Sequence, residues 1–212
     1  MRRGRLYASA TAAIACLVGF WELGTDFAYE SEVQRFDAVV SAAIVSLRTP
    51  WLTWVMKLVT VTGGGVVVTA AVFALVTWQM VRRRRVAALF SVVLVAGGSL
   101  IAAIAKGQFV RLRPPAESAL IALPQSYSFP SGHAMASLCL GAALAYSILH
   151  SAASRLVKRA SVIACLVYPV AVGLSRVYLG VHFASDVVAS WLLGGVLLSL
   201  SLGAASLSQS AD

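Results

Sequence analysis

Long apolar segments separated by short polar ones run along almost the whole chain. A helix needs about 20 apolar residues to cross a hydrocarbon core of about 30 Å, and fewer where small neutral residues extend its ends. Six segments reach or approach this length, which predicts six transmembrane helices. Their predicted bounds are residues 6–23, 58–81, 86–105, 134–149, 160–174 and 187–202. The pattern therefore predicts an all-α membrane protein in which residues 1–212 form a single domain, a bundle of six transmembrane helices.

The composition also indicates a membrane protein. Hydrophobic residues make up 59% of the chain and charged residues 12%, and the mean hydropathy is +0.85, whereas soluble domains contain about 25% charged residues. So few polar side chains cannot cover a water-soluble globule of 212 residues. The composition therefore excludes a free soluble domain and an intrinsically disordered chain.

The excess of positive charge lies on one side of the predicted bundle. When the six spans alternate in direction, one face carries ten basic residues and a single acid, Asp212, whereas the other face carries seven basic and seven acidic residues. The net charge of +9 then lies on the face that the positive-inside rule assigns to the cytoplasm. We therefore predict that both termini are cytoplasmic. Because topology explains the basic composition, we predict no nucleic-acid partner, and no obligate protein partner is evident.

The first apolar segment has a second interpretation as a cleaved signal peptide, because arginines precede it. A signal peptide ends in a cleavage site of small residues, but Gly19-Phe20-Trp21-Glu22 follows this apolar run. We therefore expect the segment to be retained as the first span.

A helical periodicity also marks the polar segment 25–50, between the first two spans. Its apolar side chains recur at helical spacing, at Phe36, Val39, Val40, Ala43, Ile44 and Leu47. Asp37, Ser41 and Arg48 lie on other faces of the same helix. The pattern predicts an amphipathic helix at the outer membrane interface, and a helix that packs over the bundle away from the lipid headgroups fits equally well. Three consecutive glycines, residues 63–65, permit a bend near the start of the second span.

Three polar clusters are predicted to meet at the outer face of the bundle. The first follows the third span and contains Lys106 and Arg113. If the helix continues past Lys106, these two side chains lie within about 20° of each other on one stripe. The second cluster, Ser131-Gly132-His133, precedes the fourth span. Ser131 is suited to an N-cap, Gly132 allows the backbone to approach a ligand closely, and the free N–H groups of the first helical turn favour an anion.

The third cluster leads into the sixth span and contains Arg176, His182 and Asp186. His182 and Asp186 are four residues apart, so on a helix they share a face. A carboxylate there can accept the imidazole Nδ1–H and leave Nε2 free as a nucleophile. Each cluster alone also has a structural explanation, as interfacial anchors or as charges that complement a helix dipole. Arg111 lies off the predicted stripe of Lys106 and is treated as accessory.

The clusters form the patterns Lys-x6-Arg-Pro, Pro-Ser-Gly-His and Ser-Arg-x5-His-x3-Asp, in this order. Together they resemble the motifs of the type 2 phosphatidic acid phosphatase superfamily, which contains integral-membrane lipid phosphatases, bacterial acid phosphatases and vanadium haloperoxidases. Every motif position is matched without a change in spacing between Lys106 and Asp186. The predicted layout of six spans extends the resemblance to most of the chain.

The resemblance implies a role for each motif residue. His182 would attack phosphorus and form a phosphohistidine, while His133 would protonate the leaving oxygen and then deprotonate water. Asp186 would orient His182 and stabilise its positive charge. Cations and dipoles that stabilise a phosphoryl transition state would come from Lys106, Arg113, Ser131, Gly132 and Arg176. The sequence contains no carboxylate cluster suited to magnesium, so it predicts activity without a metal or other cofactor.

The expected substrate is a lipid phosphate from the bilayer, because the chain has almost no soluble part and the clusters lie at the membrane edge. Undecaprenyl diphosphate is narrowly favoured, followed by phosphatidylglycerophosphate and phosphatidate. A lipid phosphotransferase would use the same intermediate but would pass the phosphate to a second lipid. A non-enzymatic anion transporter would have little need for a carboxylate-oriented histidine opposite a second histidine. The short basic loops and compact length indicate a bacterial plasma membrane.

Overall fold

A computed structural model describes residues 2–26 and 32–208, and within these residues every regular element is helical. The described residues form eight α-helices, which are α1 (Arg2–Asp26), α2 (Glu32–Ser46), α3 (Pro50–Thr62), α4 (Gly65–Val81), α5 (Arg85–Phe109), α6 (Gly132–Leu149), α7 (Arg155–Tyr178) and α8 (Ala184–Ser208). A short 3₁₀ turn, Ala116–Ser118, lies in the long segment between α5 and α6. The predicted cytoplasmic C-terminus at Asp212 lies outside the described residues.

The helices are long and apolar enough to cross a membrane several times. Among the described residues, five helices qualify singly, and α3 and α4 qualify together as one span that is bent by 49°. The bend lies at Gly63 and Gly64, where a Cβ on Gly63 would come within 2.5 Å of Val172 Cγ1 on α7. The close approach of α7 therefore requires glycine at this position. The predicted all-α bundle that crosses the membrane several times is confirmed.

The helices extend beyond the apolar segments that predicted them. The second span was predicted to begin at residue 58, but α3 begins at Pro50, because Thr49 caps it by accepting a 3.3 Å hydrogen bond from the Leu52 amide. Likewise α7 contains 24 residues, because Ser154 caps it ahead of its first basic residues. Apolar segments mark where a helix can contact lipid, whereas capping side chains mark where it begins.

The interior of the bundle is held by close helix contacts and by one buried polar cluster. A Cβ on Gly141 of α6 would lie 2.8 Å from the Cys165 carbonyl oxygen, so glycine is needed for α6 to pack on α7. The buried polar cluster joins α4, α5 and α6 at the end of the bundle opposite the motif clusters. There Gln79 of α4 donates to the hydroxyls of Ser91 on α5 and Ser147 on α6, at 3.0 and 2.5 Å. These bonds fix the register of three helices relative to one another.

Helix α2 packs against α7 and α8 with one side and exposes apolar side chains on another. Val40 and Ile44 pack against buried residues of the bundle, whereas Phe36 and Val39 are exposed. The predicted amphipathic helix is confirmed, and it combines a packed face with an exposed apolar face. Asp37 is 2% exposed, although the periodicity placed it on a polar face away from the apolar stripe. A buried carboxylate is stable only with partners, and these partners lie in the candidate site.

Candidate active site

The three motif clusters meet at one end of the bundle. This end is formed by the C-terminus of α5, by the segment 126–131 that leads into α6, by the C-terminus of α7 and by the turn 181–183 that leads into α8. Three backbone hydrogen bonds connect residues 111–131 with one another and with the adjoining ends of α7 and α8. The amide of Ser128 donates to the Arg111 carbonyl at 2.8 Å, that of Ser131 to the Asp186 carbonyl at 3.2 Å, and that of Leu120 to the Leu179 carbonyl at 2.9 Å.

His182 and Asp186 form the pair that their spacing predicts, but not on one helix. Because α8 begins at Ala184, His182 lies in the preceding turn. Its Nδ1 atom is 3.2 Å from Asp186 Oδ2. The same oxygen accepts a 2.9 Å hydrogen bond from the Phe183 amide and another from the Ser128 hydroxyl. The expected helical arrangement is therefore wrong. Asp186 lies in the first turn of α8, and its carboxylate reaches back to His182 in the turn that precedes the helix.

The second nitrogen of His182 faces a cation. Arg113 Nη1 lies 3.2 Å from His182 Nε2, and because a guanidinium can only donate, Nε2 acts as the acceptor. This assigns the Nδ1–H tautomer, with the Nδ1 proton directed at Asp186. His182 is 2% exposed, and burial lowers its pKa to about 4, against the opposing effect of the hydrogen bond and charge of Asp186. The imidazole is therefore neutral at neutral pH, with a lone pair on Nε2.

Lys106 and Arg113 come together by a different route from the one predicted. The α5 helix ends at Phe109, and Val110 adopts the left-handed conformation with φ of 44°, so a helical stripe through Arg113 is wrong. Both side chains nevertheless donate to the Tyr127 carbonyl oxygen, Lys106 from Nζ at 2.5 Å and Arg113 from Nη2 at 3.4 Å. The segment before α6 thus gathers the two cations that the motif spacing associates.

Arg176 is the most deeply buried of the three motif cations. It lies near the end of α7, is 2% exposed, and donates from Nη1 to the Thr60 hydroxyl on α3 at 2.7 Å. Its Nε–H has no hydrogen-bond partner among the described residues. A buried N–H without a partner carries a desolvation penalty of roughly 1–3 kcal/mol, and more for a charged group.

Ser131, Gly132 and His133 occupy the start of α6. Ser131 is the N-cap, as predicted, and its hydroxyl accepts from the Ala134 amide at 3.5 Å. The space where Gly132 would carry a Cβ is open, so packing within the protein does not explain the glycine. His133 is half-buried in the first turn of α6 and lies within electrostatic reach of His182.

The two histidines line different cavities. A cavity of about 590 Å³ lies between α2 and residues 110–115, and Arg113 and His182 line it. A second cavity of about 390 Å³ lies beside the bend between α3 and α4, and His133 and Arg176 line it. The candidate site is therefore reached from two sides.

The sequence predicted Arg111 to be only accessory and did not assign Asp37 to the site, but the structure places both residues beside Asp186. Arg111 is 8% exposed and forms salt bridges with Asp37 and Asp186, each at 2.7 Å. The sequence signal for Arg111 is the alternation Arg111-Leu112-Arg113, in which an apolar residue separates two arginines. In the structure Leu112 is strongly exposed between the two arginines. In an extended segment residues two apart share a side, so Arg111 and Arg113 should have been placed together.

The donor groups at this end of the bundle are suited to an oxyanion. Arg113 contacts a neutral imidazole that a carboxylate orients, Lys106 and Arg176 lie within electrostatic reach of Arg113, and the N-terminus of α6 adds free N–H groups. The described residues contain no group of three His, Cys, Asp or Glu side chains that could hold a metal ion. Such a site can bind a phosphoryl group and transfer it to and from the imidazole. Together with the membrane spans, it defines the class of integral-membrane phosphatases.

Comparison with known proteins identifies the family. Residues 86–207 match the model of the PAP2 superfamily, and the chain belongs to this superfamily, which confirms the resemblance noted from the motifs. Phosphatidylglycerophosphatase B of Bacillus subtilis (strain 168) is 32% identical over 176 residues, which cover 82% of this chain and 86% of that protein. The protein is thus a multi-pass membrane lipid phosphatase of bacterial type.

Solved structures agree with this assignment. The crystal structure of a transmembrane PAP2 type phosphatidylglycerolphosphate phosphatase from Bacillus subtilis has a TM-score of 0.83 and 28% identity, and the match covers 94% of this chain and 97% of that one. The crystal structure of Aquifex aeolicus LpxE has a TM-score of 0.55 and 22% identity, and the match covers 81% and 94%. The second similarity supports the fold alone.

Proposed function

We propose that the protein removes phosphate from a membrane lipid through a phosphohistidine on His182, and that its first candidate substrate is phosphatidylglycerophosphate. The observation that carries the mechanism is the environment of His182, whose Nδ1–H faces Asp186 and whose Nε2 faces Arg113. The substrate is suggested by the similarity to phosphatidylglycerophosphatase B and to the solved structure of a phosphatidylglycerolphosphate phosphatase, both from Bacillus subtilis. This similarity displaces undecaprenyl diphosphate, which the sequence alone narrowly favoured, to second place.

In the first step, the substrate phosphate lies among the cations and His182 Nε2 attacks phosphorus. The bond from phosphorus to the lipid oxygen breaks, and His133 donates a proton to that oxygen, so the lipid alcohol leaves. The new phosphohistidine carries positive charge on its ring, which Asp186 stabilises across the Nδ1–H. The proposed phosphate ligands are Lys106, Arg113, Ser131, Gly132 and Arg176.

In the second step, His133 removes a proton from water, and the water oxygen attacks phosphorus. The bond between phosphorus and His182 Nε2 breaks, so inorganic phosphate leaves and the neutral imidazole is restored. His133 then carries the proton that it donates in the next turnover. General acid–base catalysis of this kind contributes about 10²–10⁴-fold to the rate.

The buried Arg176 supports a phosphate ligand in this position. Its Nε–H has no partner among the described residues, and a phosphoryl oxygen would provide one. A charge-assisted hydrogen bond from a guanidinium to phosphate is also among the strongest that proteins form. The bond to Thr60 holds the guanidinium plane in place, so Nε is available without a change of rotamer.

The arrangement of the two cavities suggests where the lipid lies. Phosphoryl transfer places the attacking and leaving atoms roughly in line on opposite sides of phosphorus. If His182 attacks from the side of the larger cavity, the lipid oxygen lies on the side of His133 and the smaller cavity. That cavity is lined by apolar residues at the bend, among them Val61 and Val66, and Val66 is 86% exposed on the outer surface of the bundle. The lipid tails can then remain in the bilayer.

A release assay tests the proposed activity. Purified protein in detergent is expected to release inorganic phosphate from phosphatidylglycerophosphate faster than from undecaprenyl diphosphate or phosphatidate. EDTA present throughout should leave the rate intact, because cations of the protein neutralise the phosphate. Labelled phosphate that appears in a second lipid would indicate a phosphotransferase, and a rate that needs added magnesium would contradict the metal-free mechanism.

We also propose that the site faces the outside of a bacterial plasma membrane and that both termini are cytoplasmic. The distribution of charge supports this topology, because the turn after α4 and the start of α7 carry seven of the 17 basic residues and no acidic residue, and they lie at the end away from the site. A phosphatase reporter that is active only outside the cytoplasm, fused after Asp212, is expected to be inactive, whereas the same reporter fused in the segment 116–125 should be active. The reverse result would overturn the topology.

A further inference from the structure

A buried ion cluster extends from the candidate nucleophile to α2. Arg111 lies at its centre, with Nη2 at 2.7 Å from Asp37 Oδ2 and Nη1 at 2.7 Å from Asp186 Oδ1. The Phe183 ring packs against the guanidinium, whose Cζ is 4.3 Å from the ring centroid. Arg111 is separated by 74 residues from Asp37 and by 75 residues from Asp186, so the cluster is a product of the tertiary fold.

The two oxygens of Asp186 have separate partners. Oδ2 faces His182 Nδ1 and also accepts from the Phe183 amide. Oδ1 accepts from Arg111 Nη1, which also donates to the Ser185 hydroxyl at 2.7 Å. Because the carboxylate is held on both sides, its plane cannot rotate about the side-chain bond without breaking a charge-assisted hydrogen bond. Arg111 thus fixes the oxygen that orients the imidazole.

Asp37 holds Arg111 and the start of α8 at the same time. Its Oδ1 accepts from the Ser185 amide at 2.8 Å, and its Oδ2 accepts from the Ser185 hydroxyl at 2.6 Å as well as from Arg111. Ser185 directly precedes Asp186 in the first turn of α8. Helix α2 is therefore linked to the candidate nucleophile through Arg111 and Asp186.

We propose that Arg111 is a positioning residue for phosphoryl transfer, that it acts through Asp186 on His182, and that Asp37 of α2 holds it in place. The inference rests on the proposed function of His182. Arg111 holds the geometry of Asp186 and also reduces the negative charge that the imidazole experiences. Asp37 partly offsets the charge of Arg111, so the two side chains have opposite effects on the protonation of the nucleophile.

The opposite charges predict opposite shifts of the acid limb of the pH profile of kcat/KM. The charged and titratable groups within electrostatic reach of His182 are Asp186, Arg113, Arg176 and His133, and Lys106 lies within reach of Asp186, Arg113 and Arg176. Removal of the positive charge at residue 111 strengthens the hold of Asp186 on the imidazole proton, so the acid limb moves to higher pH. Removal of the negative charge at residue 37 moves it to lower pH. We expect shifts of roughly half a pH unit in each direction.

The test compares Arg111→Met, Asp37→Asn and the double variant, with Arg35→Met as the control on an exposed position of α2. Arg111→Met should lower kcat about 10–100-fold, by analogy with the outer-shell groups that orient metal-ligating histidines, with KM little changed. The double variant conserves the net charge of the cluster, so its acid limb should match that of the wild type while its kcat remains low. The control should retain wild-type kcat.

The outcomes separate this inference from the proposed function. If the double variant recovers wild-type kcat, Arg111 serves only to balance charge, and the positioning role is overturned. If Arg111→Met does not fold, the double variant and the pH profile of Asp37→Asn still test the inference. A purely structural role of Asp37 and Arg111 predicts no shift of the acid limb in Asp37→Asn. If the wild type releases no phosphate from any lipid, or His182→Ala matches the wild type, the proposed function itself fails.

Discussion

Replacement of His182 with alanine is expected to lower kcat by at least about 10⁴-fold, because loss of a nucleophile removes the covalent pathway. The measurement is release of phosphate from phosphatidylglycerophosphate by purified variants at equal concentration. His150→Ala is the matched control, since His150 caps the opposite end of α6 and contacts the Tyr146 carbonyl rather than the site. Its turnover should match that of the wild type.

The variant must also be folded for this result to count. Its elution from a size-exclusion column and its thermal melting are expected to match those of the wild type within the effect of losing one buried imidazole. Wild-type protein quenched during turnover of a labelled substrate should carry phosphate that is labile in acid and stable in base, as a phosphoramidate is. Residual turnover above one-hundredth of the wild-type rate in a folded His182→Ala variant would remove this histidine as the nucleophile.

Replacement of His133 with alanine is expected to lower turnover of lipid substrates by about 10²–10⁴-fold, the usual contribution of a positioned acid and base. An aryl phosphate with a nitrophenolate leaving group needs no proton at the leaving oxygen. The first step should therefore recover with this substrate, while the second step, which needs the base, stays slow. Rapid-mixing measurements should show a burst of nitrophenol close to one equivalent of enzyme, followed by slow release.

The wild type provides the comparison for this experiment. His133 assists both the formation and the hydrolysis of the phosphohistidine in the wild type, so its burst should be smaller. A His133→Ala variant equally slow with aryl and lipid phosphates, and without a burst, would show that His133 serves binding rather than proton transfer. The accumulated phosphoenzyme should be absent when His182 is replaced as well. The double variant thus ties the burst to the same nitrogen.

The architecture could be predicted because the relevant signals are local. The length of an apolar segment decides whether a helix can cross a bilayer, and six such segments were sufficient to predict the bundle. The helix bounds were less predictable, because caps such as Thr49 and Ser154 extend helices into polar sequence. The sequence permitted a bend at Gly63 but did not require one, because the close contact with Val172 that requires glycine there is made by α7.

The motif residues were predicted by their spacing, but their geometry was not. His182 and Asp186 pair across a turn rather than along a helix, and Lys106 and Arg113 meet at the Tyr127 carbonyl rather than on a stripe. The same spacing can be satisfied by several backbone paths. The pattern therefore establishes which residues meet and leaves their route to the tertiary structure.

The pairing of Asp37 with Arg111 could not be predicted, because 74 residues separate them. The apolar periodicity of α2 assigned Asp37 to a polar face, and nothing in that helix indicates a cation on the facing surface. An acidic side chain in an amphipathic helix is usually solvated, so the prediction follows the general tendency. Only the fold brings α2 across the start of α8 and supplies the buried partner.

Val110, in the left-handed conformation, ends α5 between Lys106 and Arg113 and so changes the rise per residue between these two cations. The chain rises about 1.5 Å per residue as far as the end of α5. The alternating exposure of residues 111–113 indicates an extended path after it, which rises by up to about 3.3 Å per residue. The segment from Lys106 to Arg113 therefore contains a helical part and a non-helical part, and the distance that it spans depends on the number of residues in each part. Deletion of one residue from the extended part would reverse its inward and outward sides, which would bring Leu112 into the ion cluster and carry Arg111 to the surface.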